Sequence, residues 1–267
     1  MKRYTASYLI IAMLLAGTCT TLSAQNAKGA VMDSNDLYYN IINYTLHYAE
    51  VTYPGDMKAH HWEEQDQPSG HIVFPATIVY KGKQYEVREI APWTFKGCDG
   101  ITGVDFQETL RSIGFSAFAE CDNLTSVVIP ASVEQIGGCS FMGCRNLSSV
   151  TLSPKMTQVS DHLFADCSAL QTITLPPSLE YVGPSAFDKS GLVTVTLPAT
   201  MKFIADKAFS RCESLRRVEV LAVKPPQVAA NAFAGIAPDA VLYVPQGCRE
   251  AYSAAEGWNL FSQIEEM

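Results

Sequence analysis

Cys98, Cys121, Cys144, Cys167 and Cys212 each stand three residues after a phenylalanine. In a stack of coils one repeat apart, neighbouring Cα atoms would sit ~4.8 Å from each other, within disulfide range. Parallel stacking points such side chains the same way, which opposes the Cβ geometry of a bridge. Ser190 and Ile236 hold the equivalent place in two other repeats, so the column reads as a small buried site filled by free thiols. There is no C-x-x-C, and a 23-residue period is not a zinc-ligand spacing. A second group gathers His47, His60, His61 and His71 near Asp56, Glu63, Glu64 and Asp66. Imidazoles and carboxylates can hold a transition metal, but no two of these histidines have the i, i+4 spacing of a helical ligand pair. The stretch reads as a polar loop, about residues 54–69, between two strands. Asp161-His162 holds the remaining histidine, without a G-x-S-x-G turn to supply a nucleophile. G-x-G-x-x-G and G-x-x-x-x-G-K-[ST] are also missing. No metal, cofactor or catalytic residue is assigned, and the chain is expected not to be an enzyme.

The elements that would position these residues follow from a repeat. Phe95, Phe118, Phe141, Phe164, Phe187, Phe209 and Phe233 are separated by 23, 23, 23, 23, 22 and 24 residues. A fixed period of this length marks a solenoid, in which each coil is built like its neighbour. Five residues before each phenylalanine stands a β-branched residue: Ile90, Ile113, Ile136, Val159, Val182, Ile204 and Val228. Further on comes an alternating L-x-x-V-x-L segment, as in Leu147 to Leu152, which predicts a short strand. Pro130, Pro176 and Pro198 follow it directly and lack the N–H that a ladder needs. The L-x-x-I-G-x-x-A-F half predicts an extended opposite wall, with Gly137 and Gly183 at a tight bend. The fold expected is mainly β: a solenoid of 23-residue units over residues 85–245.

The frame A-F-x-x-C-x-x-L-x-x-V-x-L-P resembles the BspA-like, or Treponema pallidum-type, leucine-rich repeats of bacterial surface proteins. The ordinary leucine-rich repeat closes its strand segment with Asn or Cys, and this chain has no such Asn ladder. The resemblance covers about Tyr85 to Pro245. It implies a leucine-rich-repeat solenoid on the cell surface that contacts host extracellular-matrix proteins or other bacteria.

Residues 1–24 read as a secretory signal peptide. Lys2 and Arg3 precede the apolar run Tyr8 to Ala16, which is too short to span a bilayer, and Leu22-Ser23-Ala24 suits cleavage. Lipidation at Cys19 is disfavoured, because Leu15-Ala16-Gly17-Thr18-Cys19 is one residue too long for a lipobox and places Thr before the cysteine. The chain is therefore expected to be secreted or displayed at the cell surface, without a membrane span. Its formal net charge of −8 becomes −10 once Lys2 and Arg3 are removed. That argues against nucleic acid or an anionic membrane as a general partner. Residues 25–84 predict a β cap for the raw solenoid edge, with strands near 37–42, 46–51 and 71–74 and a hairpin turning at Lys81-Gly82. Residues 246–267 predict a short helical cap, from Arg249 to Glu256, closed by Trp258, Leu260, Phe261 and Ile264.

The outward strand positions are the candidate binding face. Ser126, Ser149, Thr172 and Thr194 form one column; Thr151, Thr174 and Thr196 form another. Arg216, Arg217 and Glu219 lie towards the C-terminal end. Thr and Ser suit any exposed strand, and the same positions suit a broad surface for a protein or glycan partner. The arginines are the anchors expected for an acidic segment or sulfated glycan, with Glu219 near enough to pair with one. Two alternatives stand beside partner binding. One is a carbohydrate-binding accessory protein, for which Tyr181 and Phe203 on the opposite wall are the available aromatics. The other is an unrecognised hydrolase.

Overall fold

The computed structural model describes residues 37–53 and 67–267, with the backbone of short strands at Cys19–Thr21, Ala24–Gln25 and Val31–Met32. Most of the expected leader, and the loop bearing Asp56, His60, His61, Glu63, Glu64 and Asp66, lie outside the described residues. The described chain is mainly β and winds as a parallel solenoid of about eight coils with ~23-residue spacing.

Each coil contributes to two walls. The main wall stacks Gly70–Val73, Ile101–Asp105, Ser126–Val128 and Ser149–Thr151. A bridge from Thr151 to Thr174 carries it on. It resumes as Thr194–Leu197, Arg217–Val220, Val241–Val244 and Gln263–Glu266. The opposite wall is built from two-residue strands such as Gln135–Ile136, Tyr181–Val182 and Phe203–Ile204. Pairing is in register with the repeat: Ser126 faces Ser149, and Tyr181 faces Phe203.

The phenylalanine column is the axis of the core. All seven rings are buried and stack coil on coil, with centroids 5.1–5.9 Å apart and interplanar angles of 3–19°. Offset stacking adds to the burial of each ring. The column needs a lid at both ends. Phe74 meets Phe95 edge-on at 5.7 Å, and Phe233 abuts Trp258 and Phe261. Trp258 Nε1 donates to the Pro226 carbonyl (2.8 Å) and Tyr252 Oη to the Ala222 carbonyl (2.7 Å), so the polar ends of the lid are satisfied.

The end elements differ in detail from expectation. The helix runs Arg249–Ala254, and the chain then returns to the main wall as Gln263–Glu266. Trp258 and Phe261 are buried and Ile264 packs against the core, whereas Leu260 is exposed. Gly70–Val73 pairs parallel with Ile101–Asp105, so it forms the first rung of the main wall. Gly137 does not have the left-handed φ of a tight bend. It is needed for close approach: a Cβ there would lie 2.5 Å from the Phe115 backbone nitrogen. Ser160 occupies the same column one coil later and donates its hydroxyl to the Ile136 carbonyl.

Candidate functional site

Because strand side chains alternate, Val127, Val150, Ile173, Val195 and Val218 point into the core and their neighbours point out. Ser126, Ser149, Thr151, Thr172, Thr174 and Thr196 are exposed, and Thr194 is half-buried. The two hydroxyl columns thus share one outer surface, held in register from coil to coil.

At the C-terminal end this surface becomes a built cluster. Glu219 lies directly across from Tyr243, and Arg217 pairs with Val241 two residues away. The Arg217 guanidinium sits 3.6 Å above the Tyr243 ring, while its Nε donates to Glu219 Oε1 (2.6 Å). Thr196 Oγ1 donates to the other Glu219 oxygen (2.8 Å). These bonds, that from Thr196 first and that from Arg217 second, hold the Glu219 carboxyl below the ordinary carboxylate range. Arg216 is engaged separately, with its Nε 3.1 Å from Asp239 Oδ1 and an Nη donating to the Glu213 carbonyl (2.7 Å).

Two points of the sequence reading change here. Both arginines have an acidic partner in the chain, so the local positive charge is smaller than two free cations. The face also carries an aromatic, Tyr243. It continues the column of Thr196 and Glu219 by one coil, and the 24-residue step from Phe209 to Phe233 gives its position from Glu219.

At the other end of the main wall, His71 Nε2 lies 2.9 Å from Asp105 Oδ2. Its ring crosses Gly103, where a Cβ would come within 2.6 Å of Nδ1. His47 instead packs edge-on to Tyr85 in the N-terminal sheet. Among the described residues no three His, Cys, Asp or Glu side chains gather as a metal site. On the opposite wall Tyr181 and Phe203 stack at 5.8 Å and 9°. Their rings pair with each other along the coil axis.

The cysteine column is a packing and hydrogen-bonding device. The thiols of Cys121, Cys144, Cys167 and Cys212 each donate to the phenylalanine carbonyl of the preceding coil, at 3.0–3.1 Å. Ser190 fills the place next to Cys212, with Oγ 3.3 Å from its sulfur. All five column cysteines are buried and unbridged.

A stack of short parallel strands with a Leu/Val/Phe core defines a leucine-rich-repeat solenoid. Residues 88–216 match the BspA type Leucine rich repeat region in six copies, so this repeat region is a BspA-type leucine-rich repeat. Solved structures share the fold. A leucine rich cell surface protein from Faecalibacterium prausnitzii A2-165 has 17% identity over 89% of this chain and 94% of its own, with a TM-score of 0.52. A leucine-rich repeat protein from Eubacterium ventriosum ATCC 27560 has 20% identity over 78% of this chain and 50% of its own, with a TM-score of 0.58. The pneumococcal vaccine antigen PcpA has 14% identity over 82% of each chain, with a TM-score of 0.50. No curated protein matches the sequence.

Proposed function

We propose that the chain is a secreted or cell-surface binding protein without catalytic activity, and that it grips a protein partner through the outer surface of the main wall. The observation that carries this reading is the Arg217–Tyr243–Glu219 cluster at the end of the hydroxyl columns. Arginine and tyrosine are the residue types in which interface energy concentrates, and here each is held in place before a partner arrives. The Ser and Thr columns add a surface that closes against a partner with little loss of side-chain freedom. A segment carrying both an acidic group and an apolar or amide face fits the cluster: the acid meets Arg216 and Arg217, and the flat face meets Tyr243.

The BspA-type resemblance directs the search to host extracellular-matrix proteins and to the surfaces of other bacteria. The test is a surface plasmon resonance screen of the exported chain over immobilised matrix proteins and bacterial surface fractions. A partner found there should lose affinity about tenfold or more with Arg217→Ala and Tyr243→Ala together, as expected for a hot spot worth at least ~1.4 kcal/mol. Thr151→Ala with Thr174→Ala should change it little. Full affinity in the Arg217/Tyr243 variant would refute this assignment of the site.

A further inference from the structure

Among the described residues, exposed large apolar side chains are spread over the solenoid, with a close pair at Leu221 and Val223 and a larger group in the N-terminal sheet. Ile42, Tyr44 and Leu46 are 41%, 63% and 59% exposed and stand together at the tip of the hairpin joining Tyr38–Asn43 to Tyr48–Thr52. The tip is rigid. Asn43 Oδ1 accepts from the backbone N–H groups of Thr45 (3.0 Å) and Leu46 (2.7 Å), and His47 closes the turn at φ 58°. A second tip lies beside it. Tyr48–Thr52 runs parallel to Lys83–Ile90, so the Lys81-Gly82 turn that precedes Lys83 emerges at the same end of the sheet. The two tips are tied by Tyr85, which is buried and meets both Tyr44 (6.3 Å) and His47 (5.2 Å) edge-on.

That second tip is basic. Lys81 and Lys83 are exposed, and the Lys81 ammonium stands 4.9 Å from the Tyr80 ring. Of the nearest carboxylates, Glu86 is paired with Arg88 at 2.8 Å, and Glu50 and Glu89 face each other further along the strands, away from the tip. In a chain of net charge −8, this end of the N-terminal sheet is thus locally positive around an apolar apex.

We infer that the paired tips dock the protein on an anionic lipid surface, with Ile42, Tyr44 and Leu46 entering the interface and Lys81 and Lys83 held at the level of the phosphates. The order of groups matches the order of layers. Aliphatic side chains seek the acyl boundary, tyrosine rings settle at the headgroups, and lysines extend towards anionic phosphates. A tip that presents apolar groups at its apex suits a deformable bilayer, which closes around it. The net negative charge that disfavours anionic membranes as a general partner acts only weakly at this tip, because charges farther than ~8–10 Å from the surface are screened at physiological salt. This docking uses the N-terminal sheet and leaves the main wall free, so the two sites can work together or fail separately.

The test places the probe on the tip itself. In the full chain, Tyr44→Trp adds an indole whose emission is read as a difference from the unsubstituted protein. Vesicles of phosphatidylcholine with about one-third phosphatidylglycerol should shift that emission to the blue, and brominated lipid should quench it. Adding Lys81→Glu and Lys83→Glu should weaken the vesicle response by roughly twentyfold or more, at about 1 kcal/mol per lysine near an anionic surface. Far-ultraviolet circular dichroism of each variant verifies folding. An indole emission that vesicles leave unmoved, or a response that survives both lysine reversals, overturns the proposal.

Discussion

The Cys144 thiol donates to the carbonyl of Phe118, 3.1 Å away in the preceding coil. That carbonyl also accepts from the backbone N–H of Cys121 in its own coil (3.4 Å). One sulfur thus ties two coils at the point where the phenylalanine column turns. Its repetition at Cys121, Cys167 and Cys212 explains why cysteine recurs where any small apolar residue would fill the space. Cys144→Ala should cost about 1–2 kcal/mol, the sum of a small cavity and a lost buried hydrogen bond. Cys144→Ser should cost less, because a hydroxyl in that place can donate to the same carbonyl. Urea unfolding of the two variants distinguishes them.

Burial also sets the chemistry of these thiols. It pushes Cys98 and Cys144 up to about 12 and Cys212 up to about 11, so almost no thiolate is present at neutral pH. Alkylation of the native protein near pH 8 should therefore reach Cys139, which is half-exposed and off the column, before any column thiol. Mass spectrometry after timed iodoacetamide treatment reads the order. Rapid modification of Cys121 or Cys167 in folded protein would contradict it.

The same shifts make stability fall in alkali. The folded thiols ionise at higher pH than their unfolded counterparts at about 8.5–9, so above that point the unfolded chain has released protons that the folded chain retains. The stabilisation is complete below about pH 8.5 and is lost as pH rises towards the folded values of 11 to 12. Each such thiol contributes a slope of up to about 1.4 kcal/mol per pH unit. Unfolding midpoints measured from pH 7 to 10.5 should decline above pH 9, and Cys144→Ser should flatten the decline.

Phe141 is buried between Phe118 and Phe164, at 5.6 and 5.9 Å. Phe141→Ala should cost about 3–5 kcal/mol, because neighbouring coils cannot collapse into the gap while their ladders hold. Phe141→Leu should cost visibly less. Equal effects in thermal melts would mean that stacking order contributes little.

A backbone feature gives a further expectation. Gly97, Glu120, Gly143, Asp166, Lys189, Arg211 and Gly235 all stand two residues after a column phenylalanine, and all have φ between 56° and 76°. Each coil turns through a left-handed residue there, whatever its side chain. Lys189→Gly should therefore stabilise the protein by up to about 1 kcal/mol, since the strain of a left-handed L-residue exceeds the exposed Lys189–Asp166 pair at 3.4 Å. Gly143→Ala should destabilise by a similar amount. Chemical denaturation of the two variants should show shifts of opposite sign.

The repeat made most of this fold legible. Phenylalanines at a fixed period and β-branched residues five before them are direct traces of a core that each coil must share. The hairpin at Lys81-Gly82 also carried its own turn signal. The last strand did not, because Gln263-Ile264-Glu265-Glu266 has a single apolar residue and owes its conformation to pairing with Val241–Val244. The left-handed column was hidden because four of its seven members are not glycine, and coil closure overrides their local preference. On the proposed binding face the hydroxyl columns were readable from alternation alone. The Arg217–Tyr243 stack was not, since it depends on a cross-strand diagonal spanning one coil.

The most direct measurement on the central claim is hydrogen exchange of the chain with a captured protein partner bound. Partner binding through the main wall predicts slowed exchange in 217–220 and 241–244, extending to 194–197, with the opposite-wall strands near 181–182 and 203–204 unchanged. Protection confined to the opposite wall, or to the N-terminal sheet, would contradict it.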